Sequence, residues 1–147
     1  MKDFIETRII EAVRKLLAGR VNELLGESEY QIPLIEFGNY KGANSIVPRI
    51  TLSSCERTEK ERIVRLDSYS LIITFSLRET SENELYCYAY AGAIGRAVYD
   101  DPTLGGVVDR AVIAGKKYIK PKIPHSGECW ELIVTLRLTI EGISNAG

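Results

Sequence analysis

The sequence predicts an α+β fold: two helices packed on one face of a mostly antiparallel sheet of four to six strands, in the order α-β-β-β-α-β-β. Three observations carry that expectation. An amphipathic segment with a three-to-four-residue period opens the chain, two segments around residues 70 and 135 alternate apolar and polar positions, and a helical segment rich in small residues lies between them.

From Lys2 to Leu17, the residues Ile5, Ile9, Ala12, Val13 and Leu16 recur at helical spacing while Glu6, Arg8, Glu11, Arg14 and Lys15 occupy other angles. Gly19 weakens the pattern, yet Val21, Leu24 and Leu25 extend it toward Gly26, a suitable C-terminal stop, so the helix ends near 18 or 25. Ile46, Pro48, Ile50 and Leu52 then alternate with Val47, Arg49, Thr51 and Ser53, which predicts a strand that Pro48 places at a sheet edge. The charged stretch 55–62 reads as a solvated hairpin tip or mobile loop. A weaker strand signal at Arg62 to Leu66 precedes the clearest strand, Tyr69 to Arg78.

Ser81 and Glu84 have the spacing of a capping box, and Leu85, Ala89, Gly92, Ala93, Gly95 and Ala97 make a slim second helix able to approach a sheet or another subunit closely. Pro102 prevents that helix from running on. Val107 to Tyr118 gives a second weak strand signal, and Trp130 to Glu141 alternates clearly and closes the sheet with Tyr69 to Arg78. The opposite sheet face, with Thr51, Ser53, Thr74, Ser76, Thr135, Arg137 and Thr139, is polar enough to be solvated.

The 147 residues suffice for one domain, 1–147, that buries about two-thirds of the surface of its unfolded chain. The amino terminus lacks the apolar core of a secretory signal, and no apolar run reaches bilayer length. These features point to a soluble protein. Cys55, Cys87 and Cys129 are odd in number and lack metal-site spacing, which favours a reducing compartment and neither disulfides nor zinc. A net charge of -1 argues against stable nucleic-acid binding.

No catalytic constellation, cofactor motif or metal-ligand set emerges. The single histidine, His125, lies in a proline-bounded loop with only Cys129 nearby as a nucleophile, and it reads as loop filler. Asp100 and Asp101 are adjacent carboxylates without a third acidic ligand, at home at a helix terminus. Gly105-Gly106 lacks the lysine of a phosphate loop and reads as a turn needing unusual backbone angles rather than an anion nest. Tyr86, Tyr88 and Tyr90 point in different directions on a helix, which suits a core or subunit interface better than a nucleic-acid stacking platform. Lys116, Lys117, Lys120 and Lys122 form the one local basic run, the place to look for a phosphate contact.

The order of elements, with Asp101-Pro102-Thr103-Leu104-Gly105-Gly106-Val107-Val108 after a small-residue helix and an alternating closing strand, resembles the tail-terminator (tail-completion) proteins of long-tailed bacteriophages and prophages. In that family a comparable turn joins the second helix to the strand that begins a β-hairpin. The resemblance implies a structural virion protein that forms a hexameric ring on the head-proximal end of the tail tube, stops tube polymerisation and presents the head-joining surface. It implies as partners the chain itself, the tail tube protein and head-tail connector proteins, with DNA passing through unbound, in the host cytoplasm during assembly and then in the virion tail. Pro102, Thr103, Leu104, Gly105 and Gly106 match the family's turn, and the implied role is to shape the fold near an interface. The alternatives are another head-tail joining or minor tail protein, a small ligand-binding or enzymatic α+β domain, and an adaptor that pairs sheet edges with a partner.

Overall fold

The computed structural model describes residues 4–38, 45–59, 64–78, 83–123 and 128–143. The first helix, α1 (Ile5–Leu16), passes without interruption through a π-helical turn (Leu17–Val21) into α2 (Asn22–Gly26). The chain therefore reaches Gly26 as one helical rod, with Ile9, Val13, Leu16, Leu17, Val21 and Leu25 buried along one side. A two-residue parallel pair, β1 (Leu34–Ile35) and β2 (Ser45–Ile46), precedes the main sheet. Asn22 ties the rod to that pair: its side-chain amide donates to the Ile35 carbonyl and accepts from the Ile35 N–H, both at 2.8 Å, as a neighbouring strand would.

The main sheet holds β3 (Arg49–Glu59), β4 (Val64–Arg78), β5 (Arg110–Ile119) and β6 (Cys129–Ile143), all antiparallel, in the spatial order β3-β4-β6-β5. The α+β class and the four-stranded antiparallel sheet agree with expectation, and the parallel pair is an addition to it. The two clearest alternating segments pair directly, Tyr69 opposite Leu138 and Phe75 opposite Leu132. Their period of two sends Tyr69, Leu71, Ile73, Phe75 and Leu77 into the core together with Leu132, Val134, Leu136 and Leu138. Each such large side chain contributes roughly 1.5–3 kcal/mol by leaving water.

The third helix, α3 (Asn83–Asp100), lies on this apolar face. Its buried Ala91, Ala93 and Ala97 keep it close to the sheet, and Tyr90 stacks flat on Phe75 with ring centroids 4.6 Å apart. The buried Tyr90 hydroxyl donates to the Pro33 carbonyl at 2.5 Å, so the core's largest polar tip is satisfied. Across the sheet, Thr51, Ser53, Ser76 and Arg137 are exposed while Thr74, Thr135 and Thr139 are half-buried beside Ile72 and Ile133.

Several local expectations are corrected. The charged segment is not a tip through its whole length: Cys55–Glu59 belong to β3 and pair with Arg65–Tyr69, while 60–62 lie outside the described residues. A salt bridge explains how so polar a stretch holds a ladder. Arg57 Nε sits 2.7 Å from a carboxylate oxygen of the buried Asp67, the residue directly opposite, and Arg65 Nε lies 3.8 Å from its other oxygen. Of the weak signal at Arg62 to Leu66, Val64 to Leu66 are the start of β4 rather than a separate strand and 62–63 lie outside the described residues, and the strand expected over Ile46 to Ser54 is divided by Val47-Pro48. The strand expected from Val107 begins only at Arg110, because 102–109 are turn and bend. Ser81 and His125 lie outside the described residues, and the Glu84 carboxylate accepts from the Tyr88 hydroxyl at 2.8 Å.

Candidate functional site

The segment between α3 and β5 is the most tightly specified part of the backbone. Leu104, Gly105 and Gly106 hold consecutive φ angles of 50°, 69° and 89°. Glycine takes such angles at no steric cost, whereas leucine is strained by them. Leu104 is held there by burial, being 4 % exposed, and by the bond from its N–H to the Asp101 carbonyl at 3.2 Å. The Asp101 carboxylate accepts the Gly105 N–H at 2.9 Å, Thr103 Oγ1 accepts the Gly106 N–H at 3.1 Å, and the Thr103 carbonyl accepts from Val108 at 3.1 Å. The glycine N–H groups that an anion nest would offer are thus taken by the chain's own oxygens.

Asp100 and Asp101 have separate tasks. Asp101 closes the turn, whereas Asp100 receives Arg96 from one turn back in α3 at 3.2 Å and Arg20 from the π-helical turn at 3.3 Å. The second contact links the two helices. Arg20 is further held by Glu23 at 3.3 Å, and these two carboxylates, Asp100 first, raise its guanidinium pKa.

Between α1 and this turn lies a groove of about 530 Å³. Ala12, Leu16, Leu104 and Val107 give it apolar lining, and Arg8, Glu11, Lys15 and Arg20 bring charges to it from the helix. Arg8 and Lys15 are exposed and form no ion pair among the described residues. The sequence shows their helical spacing with Glu11, but not that the turn closes over them. That meeting depends on tertiary packing, which brings the buried Leu104 and the helix residues to the lining of one groove.

The lysine run does not converge. In β5 the alternation puts Lys116 on the helix side, with its ammonium over Gly95 of α3, and Lys117 on the opposite face. Lys120 and Lys122 follow the strand and are exposed, and the Lys122 backbone N–H donates to Glu128 at 3.0 Å. The tyrosines separate as well: Tyr90 is in the core, while Tyr88 remains about half exposed and meets Tyr118 of β5 edge to face at 5.3 Å. Cys87 is buried, and desolvation, aided by Glu84, pushes its thiol up to about 11, which keeps it from acting as a thiolate near neutral pH. Among the described residues no group of three His, Cys, Asp or Glu side chains converges as a metal site, and no helix is long and apolar enough to cross a membrane.

Compared with protein-family models and with curated protein sequences, the chain matches none.

Proposed function

We propose that this protein is a ring-forming structural subunit of the tail-terminator type, assembling as a hexamer that caps a phage tail tube, stops its growth and offers the surface on which the head is joined. The observation that carries the reading is the turn at 101–108. Its Pro-Thr-Leu-Gly-Gly sequence resembles the family's turn, and in this chain it is a braced piece of backbone that walls a surface groove instead of holding a ligand in its own amides. A sheet with helices on one side and an open, largely polar face on the other suits a subunit whose outer sheet face borders a DNA passage. The exposed Arg49, Arg110, Lys117 and Arg137 on that face are set against Glu56, Glu131 and Glu141 on the same face, so no large positive excess is offered to DNA phosphates.

The test is native mass spectrometry across a concentration series, followed by negative-stain imaging of any large species. The reading expects a closed species near six times 16.4 kDa. A chain that remains at 16.4 kDa at every concentration overturns it. That result would favour the second reading, a small ligand-binding domain, which the groove supports by its volume and mixed lining, although it lies between α1 and the turn rather than between sheet and helices.

A further inference from the structure

A ring needs two different surfaces on each subunit that fit one another, since a heterologous contact repeated by rotation is what closes it. The molecule carries such a pair at the two ends of α3. At the C-terminal end is the groove, concave, lined by Ala12, Leu16 and Leu104 and flanked by Arg8 and Lys15. At the N-terminal end is an exposed apolar cluster: Leu85 is 44 % exposed, Tyr88 48 % and Tyr118 41 %, with the exposed Glu84 carboxylate bonded to the Tyr88 hydroxyl. The rise of an α-helix separates the two by about 25 Å along α3, so they cannot meet within one chain.

We infer that the aromatic end of one copy, Glu84, Leu85, Tyr88 and Tyr118, seats in the Arg8–Lys15–Leu104 groove of the next, and that this head-to-tail contact is the one repeated around the ring. The inference rests on the ring reading above and supplies its contact surfaces. Three features favour a second copy as the occupant. The groove's lining carries three cations, Arg8, Lys15 and Arg20, against two acids, Glu11 and Asp101, and the opposite end brings a carboxylate. The apolar lining is matched by half-exposed leucine and tyrosine side chains, the types that anchor protein interfaces while keeping a polar tip wet. Finally, Tyr88 and Tyr118 brace each other edge to face, so this exposed end loses little side-chain freedom on docking.

A complementation experiment tests this. One variant, Arg8→Glu with Lys15→Glu, reverses the groove; the other, Leu85→Lys with Tyr88→Lys, replaces the exposed apolar end by charges like those of the native groove. All four positions are exposed, and unfolding midpoints of the two variants check that each still folds cooperatively. Sedimentation velocity and native mass spectrometry should show the wild type as a ring and each variant alone weakened in self-association by at least tenfold, roughly the loss expected for like-charge juxtaposition. Mixing the two should restore self-association, because one intact groove meets one intact aromatic end while the acidic reversed groove meets the lysine-bearing end, giving 1:1 mixed species beginning with a dimer of about twice 16.4 kDa. If the wild type forms rings and both variants do so equally well, the ring reading stands and these surfaces are wrong. The inference is also overturned if each variant is monomeric but the mixture forms no dimer. A wild type that never assembles overturns both readings together.

Discussion

Replacing Gly105 isolates the backbone strain at the turn from every side-chain contact. Its φ of 69° is unfavourable for any residue with a Cβ, yet a Cβ built there meets nothing within 4 Å. Gly105→Ala therefore introduces no clash, and its cost is the left-handed penalty alone, about 1–2 kcal/mol. Gly105→Val, with a β-branched side chain, should cost toward 3 kcal/mol. For a chain of this length each kcal/mol lowers the melting temperature by roughly 2–4 °C. The assay is urea unfolding followed by the fluorescence of Trp130, the only tryptophan, with Gly26→Ala as control. Gly26 ends α2 without a positive φ and also has open space about its Cβ position, so alanine there should be neutral or stabilising by up to about 1 kcal/mol. The expected result is a lower midpoint at unchanged slope for Gly105→Ala and Gly105→Val only. A Gly105→Ala protein as stable as the wild type would refute the argument, because it would mean that the turn does not hold its left-handed geometry in solution.

Two further outcomes follow from the same structure. Asn22→Ala removes both bonds to Ile35 and should cost about 1–3 kcal/mol; Asn22→Asp should recover only part, since a carboxylate cannot donate to the Ile35 carbonyl, and equal stability of Asn22→Ala and wild type in urea would show that the clasp is not formed. The thiol of Cys87 is raised in the fold from 9.0 to about 11, so the folded chain keeps its proton after the unfolded chain has lost it. The associated stability is fully present below pH 9 and is lost as pH climbs toward 11, at most about 2–3 kcal/mol. Melting temperatures measured from pH 8 to 11 should then fall more steeply for wild type than for Cys87→Ala; parallel slopes would exclude the thiol as a contributor.

Much of the fold could be read from period and punctuation. The β4 and β6 alternation fixed their shared buried face, Pro48 correctly marked an edge strand, and Gly26 correctly marked the end of the helical rod. What escaped has identifiable causes. Cys55–Glu59 look like loop because their composition is that of a solvated segment, but an arginine opposite a buried aspartate lets the ladder continue through charge. Lys116 and Lys117 look like one patch in sequence and are parted by strand geometry. The turn was legible as a turn from its paired glycines, whereas the left-handed Leu104 was not, since nothing local marks a leucine for that conformation. The groove was less legible still: its cations and its wall lie some ninety residues apart, and only the tertiary fold brings them to one lining.

The π-helical turn at Leu17–Val21 amounts to one residue more than an α-helix would need to cover the same axial distance. Deleting any one residue there would let the backbone revert to an ordinary ladder, and the local hydrogen bonding would improve. Because the extra residue is taken up within the turn, that deletion would leave the rod's faces on either side nearly in register, whereas a deletion in the regular α1 would swing everything downstream by about 100° around the axis, the angle that one residue subtends in a helix. Asn22 would turn away from Ile35 and Leu25 away from the core. The length of α1 is thus fixed by what lies after it, and single-residue deletion, usually best tolerated in loops, should within this rod be tolerated better in the irregular turn 17–21 than in the regular helix before it.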